Sequence, residues 1–491
     1  QIGAERILAL TATATPRVLE DICRIFEIDE ACAIRTGFYR PNLELRCTPV
    51  SDRERDPALL DALSTRAPGP TIVYVTLQKT AETLAQYLAD AGWAARAYHA
   101  GMRDDDRAQV QEWFMASDQA LVVATIAFGM GVDKANIRYV YHYNPPKSLE
   151  NYAQEIGRAG RDGETSICHL LFCPDDLRVL ENFIYGDTPD EPALRGLVHE
   201  LFGGDTEFDI SLYETSARHD IRPLVLRTLL TYLELDGLLE GGTPFYSLYK
   251  FKPLKPSGEI LGQFEGERRE FLEALFKQVK KGRTWFSLDL DAAASTLDYP
   301  RARIVRALDW LSDQAMLELQ VSGVRHRYRC LCVPENLDHL AASLHQRMMQ
   351  RETGEMGRLR QVLELASLEE CLQSTLAQHF GERLEQPCGQ CTVCRGESFP
   401  SQGASNAPAP IPDTLANALA TLVDENVNLF DSPRVLSRFL CGIASPKLSR
   451  ARLGGHRLFG ALAERPFAQV MAWSEQYLDQ GSMDGPSAAR Q

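Results

Sequence analysis

Residues Ala120 to Lys134 read A-L-V-V-A-T-I-A-F-G-M-G-V-D-K. A short apolar run passes directly into a glycine-containing loop, as a strand buried on both faces does at its carboxyl end. Four more such runs, I-L-A-L (Ile7–Leu10), T-I-V-Y-V (Thr71–Val75), I-R-Y-V-Y-H-Y (Ile137–Tyr143) and I-C-H-L-L-F-C (Ile167–Cys173), alternate with amphipathic stretches such as Thr80 to Ala91. The alternation predicts an α/β domain with a largely parallel sheet. Ligands bind beyond the carboxyl ends of such strands. T-A-T-A-T-P after Leu10, T-L-Q-K-T after Val75, Y-H-A-G-M after Ala97 and T-I-A-F-G-M-G-V-D after Ala124 are therefore the expected site loops.

Asn151 to Gly163 reads N-Y-A-Q-E-I-G-R-A-G-R-D-G. Arg158 and Arg161 stand three apart, so on a helical turn both guanidinium groups project from one face. A guanidinium is planar and permanently charged, suited to neutralising charge that builds on a transferring phosphoryl group. Gly157 and Gly160 let the backbone come close. An exposed basic turn with solvated arginines is the other reading of the same residues.

The 491 residues have room for about three or four domains. A net charge of −15 argues only weakly against a nucleic-acid partner, because it averages over faces and domains. The hydrophobic share of 44% is ordinary for a soluble protein, and no apolar run is long enough to cross a bilayer, so no membrane partner is expected. Twelve cysteines without a secretory leader suit a reducing compartment, with the cytoplasm as the expected location. A strand-like run begins almost at once after Gln1, which reads as a fragment of a longer protein.

Beyond the α/β region, residues 188–255 and 262–334 each read as a winged-helix-like unit. In the second, Pro300 opens the third helix, where a proline costs nothing, and Ile304, Ala307, Leu308 and Leu311 form its buried stripe. A strand pair is expected to turn at Ser322-Gly323. Arg301, Arg303 and Arg306 flank the expected recognition helix, and V-R-H-R-Y-R (Val324–Arg329) would be its wing. That pattern suits phosphate contacts or groove entry, and also a solvated face or a protein-docking module. Residues 335–397 form a helical module ending in C-x16-C-x2-C-x2-C: Cys371, Cys388, Cys391 and Cys394. Four thiolates within reach of one point suit a tetrahedral, structural Zn2+. The other eight cysteines are expected in cores. Residues 398–413, rich in Ser, Pro, Ala and Gly, read as a linker. Residues 414–480 form a helical module bearing Arg434, Arg438, Lys447, Arg450, Arg452, His456 and Arg457, for nucleic-acid backbone or for an interdomain or partner surface. Residues 481–491 read as a disordered tail.

T-A-T-A-T-P, Y-H-A-G-M, A-T-I-A-F-G-M-G-V-D-K and Q-E-I-G-R-A-G-R-D-G, in this order and spacing, resemble the RecQ family of superfamily 2 DNA helicases from about Ile7 to Cys173. F-Y-R-P-N-L (Phe38–Leu43) resembles the segment joining the family's two motor domains. The resemblance implies a remnant of a first RecA-like motor domain at 1–45 and a second at 46–187, with Thr11 to Thr15 coupling ATP state to DNA contact. It implies Thr76, His99 and Thr125 along the DNA strand cleft, and Gly131 and Asp133 at the nucleotide. Gln154, Arg158 and Arg161 would complete the site for ATP with Mg2+, Arg161 as the finger. Partners implied are single-stranded DNA and duplex junctions, with single-strand-binding or repair proteins, in DNA repair, recombination and replication at 3′→5′ polarity. A DEAD-box RNA helicase fits less well, since it carries histidine and arginine where this chain has Gln154 and Glu155. A non-catalytic DNA-binding and docking protein is the reading from another class. The family's zinc module normally follows the motor directly; here the winged-helix-like units come first. No G-x-x-x-x-G-K-[ST] phosphate loop occurs in the sequence, so these residues alone are not expected to hydrolyse ATP.

Overall fold

The computed structural model describes residues 6–129, 131–397 and 410–483, so most of the expected linker and tail lies outside the described residues. The chain divides into two compact units, residues 1–185 with 351–410, and 186–350 with 411–491.

In the first unit, α1 (Pro16–Phe26) starts at a Thr15 cap whose hydroxyl accepts from the Val18 amide. Then come β1 (Leu43–Pro49), α2 (Asp52–Ser64), β2 (Thr71–Tyr74), α3 (Gln78–Asp90), β3 (Ala95–Tyr98), α4 (Asp104–Ala116), β4 (Leu121–Ala124), β5 (Tyr139–His142), α5 (Leu149–Ile156), β6 (Ser166–Phe172) and α6 (Asp176–Gly186). The six strands form one sheet in the order β1-β6-β5-β2-β4-β3, parallel at every pairing. Strands β2, β4 and β5 are buried at every residue, which is why they read as continuous apolar runs. Two expectations change. The run Ile7–Leu10 is not a strand: it has no neighbouring strand to pair with among the described residues, and Leu8 and Leu10 are 81% and 83% exposed. The sheet starts at Leu43, so a boundary at 45/46 would cut through β1.

The second unit holds α7 (Glu191–Phe202), β7 (Glu207–Ile210), α8 (Leu212–His219), α9 (Pro223–Leu235), β8 (Leu239–Gly241), β9 (Phe245–Pro253), α10 (Ser257–Leu261), α11 (Gly266–Lys277), β10 (Lys280–Lys281), β11 (Phe286–Asp289), α12 (Leu290–Leu297), α13 (Arg301–Asp313) and β12 (Leu317–Cys330). The two expected winged-helix-like units do not close separately. Strand β12 runs fourteen residues, pairing with β9 over Leu317–Arg325 and with β7 over His326–Arg329, so one sheet spans both. Gly323 explains the misread turn. Its φ of +65° looks like a hairpin from sequence, but the strand continues through it; a Cβ there would stand 2.9 Å from Ser247 Oγ.

Helix α14 (Leu337–Ala366) contributes Ala341, Leu344 and Met348 to the core of the second unit, and Val362 and Leu365 to that of the first. It leads through α15 (Leu372–His379) to the cysteine loop. The carboxyl-terminal module comprises α16 (Asp413–Glu425), α17 (Pro433–Leu440), α18 (Pro446–Arg450) and α19 (Phe467–Met483).

Candidate nucleotide and metal sites

Helix α5 ends at Ile156 with Gly157 as its cap, so Arg158 and Arg161 lie on the turn beyond it and not on a helical face. Both nonetheless reach the same loop. Arg158 Nη1 donates to the Gly129 carbonyl at 2.6 Å, and Arg161 Nη1 pairs with Asp133 Oδ1 at 2.7 Å. Arg158 is half-buried and fixed; a Cβ on Gly129 would fall 2.4 Å from its Nη2, so only glycine leaves it room. Burial pushes the Tyr74 hydroxyl pKa up, and the Arg158 guanidinium beside it pulls the other way. Arg161 is exposed and its partner Asp133 is 89% exposed, so water screens the pair and it can exchange partners at little cost. Gly131 takes φ +81°, and its carbonyl accepts from Gln111 Nε2 at 3.1 Å, which shapes the loop. Gln154 Nε2 donates to Thr13 Oγ1 at 3.0 Å, tying T-A-T-A-T-P to the arginine turn. Thr13, Arg40, Gln154, Arg158 and Arg161 line one cavity of about 390 Å³.

The turn itself is held by residues to which the sequence reading gave no role. Arg40 donates to the carbonyls of Gly157, Ala159 and Gly160, and Asn42 Nδ2 donates to those of Gly160 and Glu164 at 2.8 and 3.0 Å. Gly160, at φ +53°, sits so close that a Cβ would meet Asn42 Nδ2 at 2.5 Å. The signal available in sequence was F-Y-R-P-N-L: an arginine and an asparagine bracketing a proline, next to the sheet's first strand.

Thr76, His99 and Thr125 follow β2, β3 and β4, which are neighbours in the sheet, so all three stand on one carboxyl edge. Thr76 and Thr125 line a cavity of about 130 Å³ with Lys147 and Asn144. His99 is different: it is buried and its Nε2 lies 3.1 Å from Glu82 Oε1. Glu155 is also inward-facing, 2.7 Å from the fully buried His142.

The four Sγ atoms of Cys371, Cys388, Cys391 and Cys394 all lie within 4.8 Å of one another. Zinc–sulfur bonds of about 2.3 Å put tetrahedral vertices about 3.8 Å apart, so the set fits one zinc; Cys388 and Cys394 Sγ stand 3.9 Å apart. The amides of Cys388 and Cys391 donate to the sulfurs of Cys371 and Cys388, each at 3.3 Å, which favours thiolate. Burial raises the Cys371 thiol, but the Cys388 amide and Ser374 pull it further the other way, to about 6; burial pushes Cys388 up to about 12. With thiols alone the cluster thus accepts charge at one sulfur, and a divalent cation would stabilise the rest. The loop packs along β1, the sheet's edge strand. Thr392 Oγ1 accepts from the Cys47 amide at 3.0 Å, the Thr392 amide donates to Leu45 O at 3.1 Å, and Gln390 Nε2 donates to Pro41 O at 2.8 Å.

In the second unit most of the expected DNA-contacting arginines are engaged with acids. Arg301 pairs with Asp291 at 2.9 Å and Arg303 with Glu267 at 2.7 Å; Arg306 is exposed. The expected wing is part of β12, where Arg325, Arg327 and Arg329 pair with Glu214, Asp209 and Glu207.

Residues 54–163 match the family model described as helicase conserved C-terminal domain, and residues 336–395 match RecQ zinc-binding. With the parallel sheet and the arginine turn, the first match defines a helicase-type motor domain. The chain is 38% identical over 286 residues to the probable ATP-dependent DNA helicase RecS of Bacillus subtilis, covering 52% of this chain and 58% of that one. It is 43% identical over 173 residues to ATP-dependent DNA helicase RecQ of the same organism (35% and 29%), and 35% identical over 242 residues to ATP-dependent DNA helicase Q-like 5 of Arabidopsis thaliana (48% and 27%). The two family matches and these relatives together support a RecQ-family superfamily 2 helicase. It spans between 27% and 58% of the length of these relatives. Among the described residues, no helix is long and apolar enough to cross a membrane.

Proposed function

We propose that this chain is the carboxyl-terminal part of an ATP-dependent, 3′→5′ DNA helicase acting in repair and recombination, and that it supplies one wall of the nucleotide site. The observation that carries this reading is the cavity where Thr13, Gln154, Arg158 and Arg161 converge, with Arg161 paired to an exposed carboxylate. With ATP and Mg2+ bound across a first motor domain, Arg161 would leave Asp133 and swing to the γ-phosphate, while Arg158 stays on Gly129 and fixes the loop. The edge bearing Thr76 and Thr125 would receive the strand backbone. Leu8, Leu10 and Ile34, between 81% and 87% exposed along a cavity of about 620 Å³, offer an apolar surface that further motor structure would cover. Zinc would be held by the four cysteines and would fix the loop on β1.

The test is Arg161→Ala in a protein that also carries a phosphate-loop motor half. ATP-driven unwinding should be lost, with DNA affinity changed less than about threefold; unchanged ATPase would sink the assignment. The 491 residues alone should show no DNA-stimulated ATP hydrolysis above background, because no G-x-x-x-x-G-K-[ST] phosphate loop occurs in their sequence.

A further inference from the structure

We propose that the β10–β11 hairpin, rather than the recognition helix or the expected wing, is the phosphate-gripping surface of the second unit. The proposal rests on the reading that this chain works on DNA. From Ala274 to Leu288 the sequence is A-L-F-K-Q-V-K-K-G-R-T-W-F-S-L, with four cations and no acid, in a chain of net charge −15. Lys277, Lys280, Lys281 and Arg283 are all exposed, and among the described residues none has an ion-pair partner. The contrast with the neighbouring arginines decides the matter. Arg301, Arg303, Arg325, Arg327 and Arg329 each sit within 3.5 Å of a carboxylate. To bind a phosphate they would have to give up that partner, and the carboxylate left behind would repel the incoming charge. The hairpin's one acid, Asp289 at the end of β11, is taken up in capping α12, its carboxylate accepting from the Asp291 and Ala292 amides.

The register aligns Lys280 with a further cation, Lys250 of β9. Lys280 pairs with Ser287, Ser287 with Lys250, and Lys250 with Gln320, so the four residues form one row across β10, β11, β9 and β12. Directly opposed residues of antiparallel strands share a face, and strands stand about 4.8 Å apart, so Lys280 and Lys250 project from the same face about 10 Å from each other. Lys250 and Gln320 are exposed. Gly282 lets the turn close: a Cβ there would fall 2.4 Å from the Trp285 carbonyl, so the chain packs directly on itself. The row is polar and sequence-neutral, which suits the sugar-phosphate backbone and not base edges. In chain order the hairpin lies between α11 and α12, ahead of the helix and strand to which the sequence assigned DNA contact.

Fluorescence anisotropy of the 491-residue protein with a labelled partial DNA duplex, from about 50 to about 200 mM salt, tests this. Each lost phosphate contact flattens the slope of log K against log[salt] by about 0.9. The variant Lys280→Gln/Lys281→Gln/Arg283→Gln should bind about tenfold or more weakly and flatten the slope by about 2 to 3. Lys250→Gln, on a central strand, should flatten it by about one. Arg303→Gln and Arg327→Gln should leave it unchanged, and thermal unfolding of each variant shows that the fold is kept. A triple variant with the wild-type slope, or paired-arginine variants that flatten the slope more, overturns the proposal, as does a wild-type protein with no salt-dependent binding. The helicase reading is judged separately, by unwinding and ATPase with Arg161→Ala.

Discussion

Arg40 and Gly160 illustrate how a residue outside the chemistry can decide whether the chemistry is aimed. Arg40→Ala removes a donor from three carbonyls of the arginine turn; that of Gly160 keeps Asn42 Nδ2, whereas that of the buried Ala159 loses the guanidinium that satisfies it. Leaving such groups unpaired costs about 1–3 kcal/mol. Amide exchange across residues 157–163 should speed up by tenfold or more; unchanged protection there would show that the turn holds itself. Gly160→Ala should do the same through its clash with Asn42. A different residue-scale effect concerns acid. His169 is buried in the sheet beside Thr48, and burial, helped by Arg46, lowers its pKa from 6.5 to about 4. Between those values the unfolded chain binds a proton that the folded one refuses, so stability rises with pH through the window. It is fully present above about 6.5 and lost as pH falls toward 4. Glu150, held down to about 2 by its hydrogen bond from His379, adds a second loss between 4.5 and 2. His169→Gln, which can keep the bond to Thr48, should flatten the melting-temperature profile between pH 6.5 and 4; an unchanged slope there would exclude His169 as the source.

At the scale of elements, β1 is an edge strand of a parallel sheet, and the cysteine loop covers it. Its pairing through Thr392, with Gln390 and Gln373 on the carbonyls of Pro41 and Leu43, occupies backbone groups that would otherwise invite another strand. Chelating zinc, or replacing Cys388 with serine, should therefore free the amide of Cys47 to exchange and lower the melting temperature, while β2 and β4 stay protected. Equal loss of protection across the whole sheet would mean that the loop stabilises the fold globally rather than this edge. The parallel sheet was legible because β2, β4 and β5 are buried on both faces and leave an unmistakable apolar run. The four cysteines were legible because their spacing closes locally. The single sheet of the second unit was not, since β12 chooses its partners from β7, β8 and β9 more than sixty residues upstream, and Gly323 imitates a turn. The bond network of Arg40 was hidden for the same reason, reaching more than a hundred residues along the chain.

For the molecule as a whole, a count of cations in the sequence says little about which of them meet solvent. The carboxyl-terminal module reads as basic, yet Arg434 and Arg438 are only 6% and 2% exposed. Within the second unit Arg438 donates to the Thr188 carbonyl and pairs with Asp220 at 3.5 Å, Arg434 lies 3.7 Å from Asp190, and Ser432 donates to Asp190 at 2.6 Å. Asp220 also accepts from the Lys447 amide at 2.6 Å. These residues join α17 and α18 to the segments around α7 and α8, so two of the module's arginines serve contacts inside the second unit, and Arg450, Arg452 and Arg457 are its exposed cations. A buried pair broken on one side leaves a desolvated charge behind, which costs about 3–5 kcal/mol. Arg438→Met should therefore destabilise the second unit by about that amount in urea unfolding and make the segment near Pro410 the first site of limited proteolysis. Asp220→Asn in the same background should recover part of the loss, because the stranded carboxylate is removed with its partner. Strictly additive losses in the double variant would show that Arg438 acts through packing and its bond to Thr188 alone.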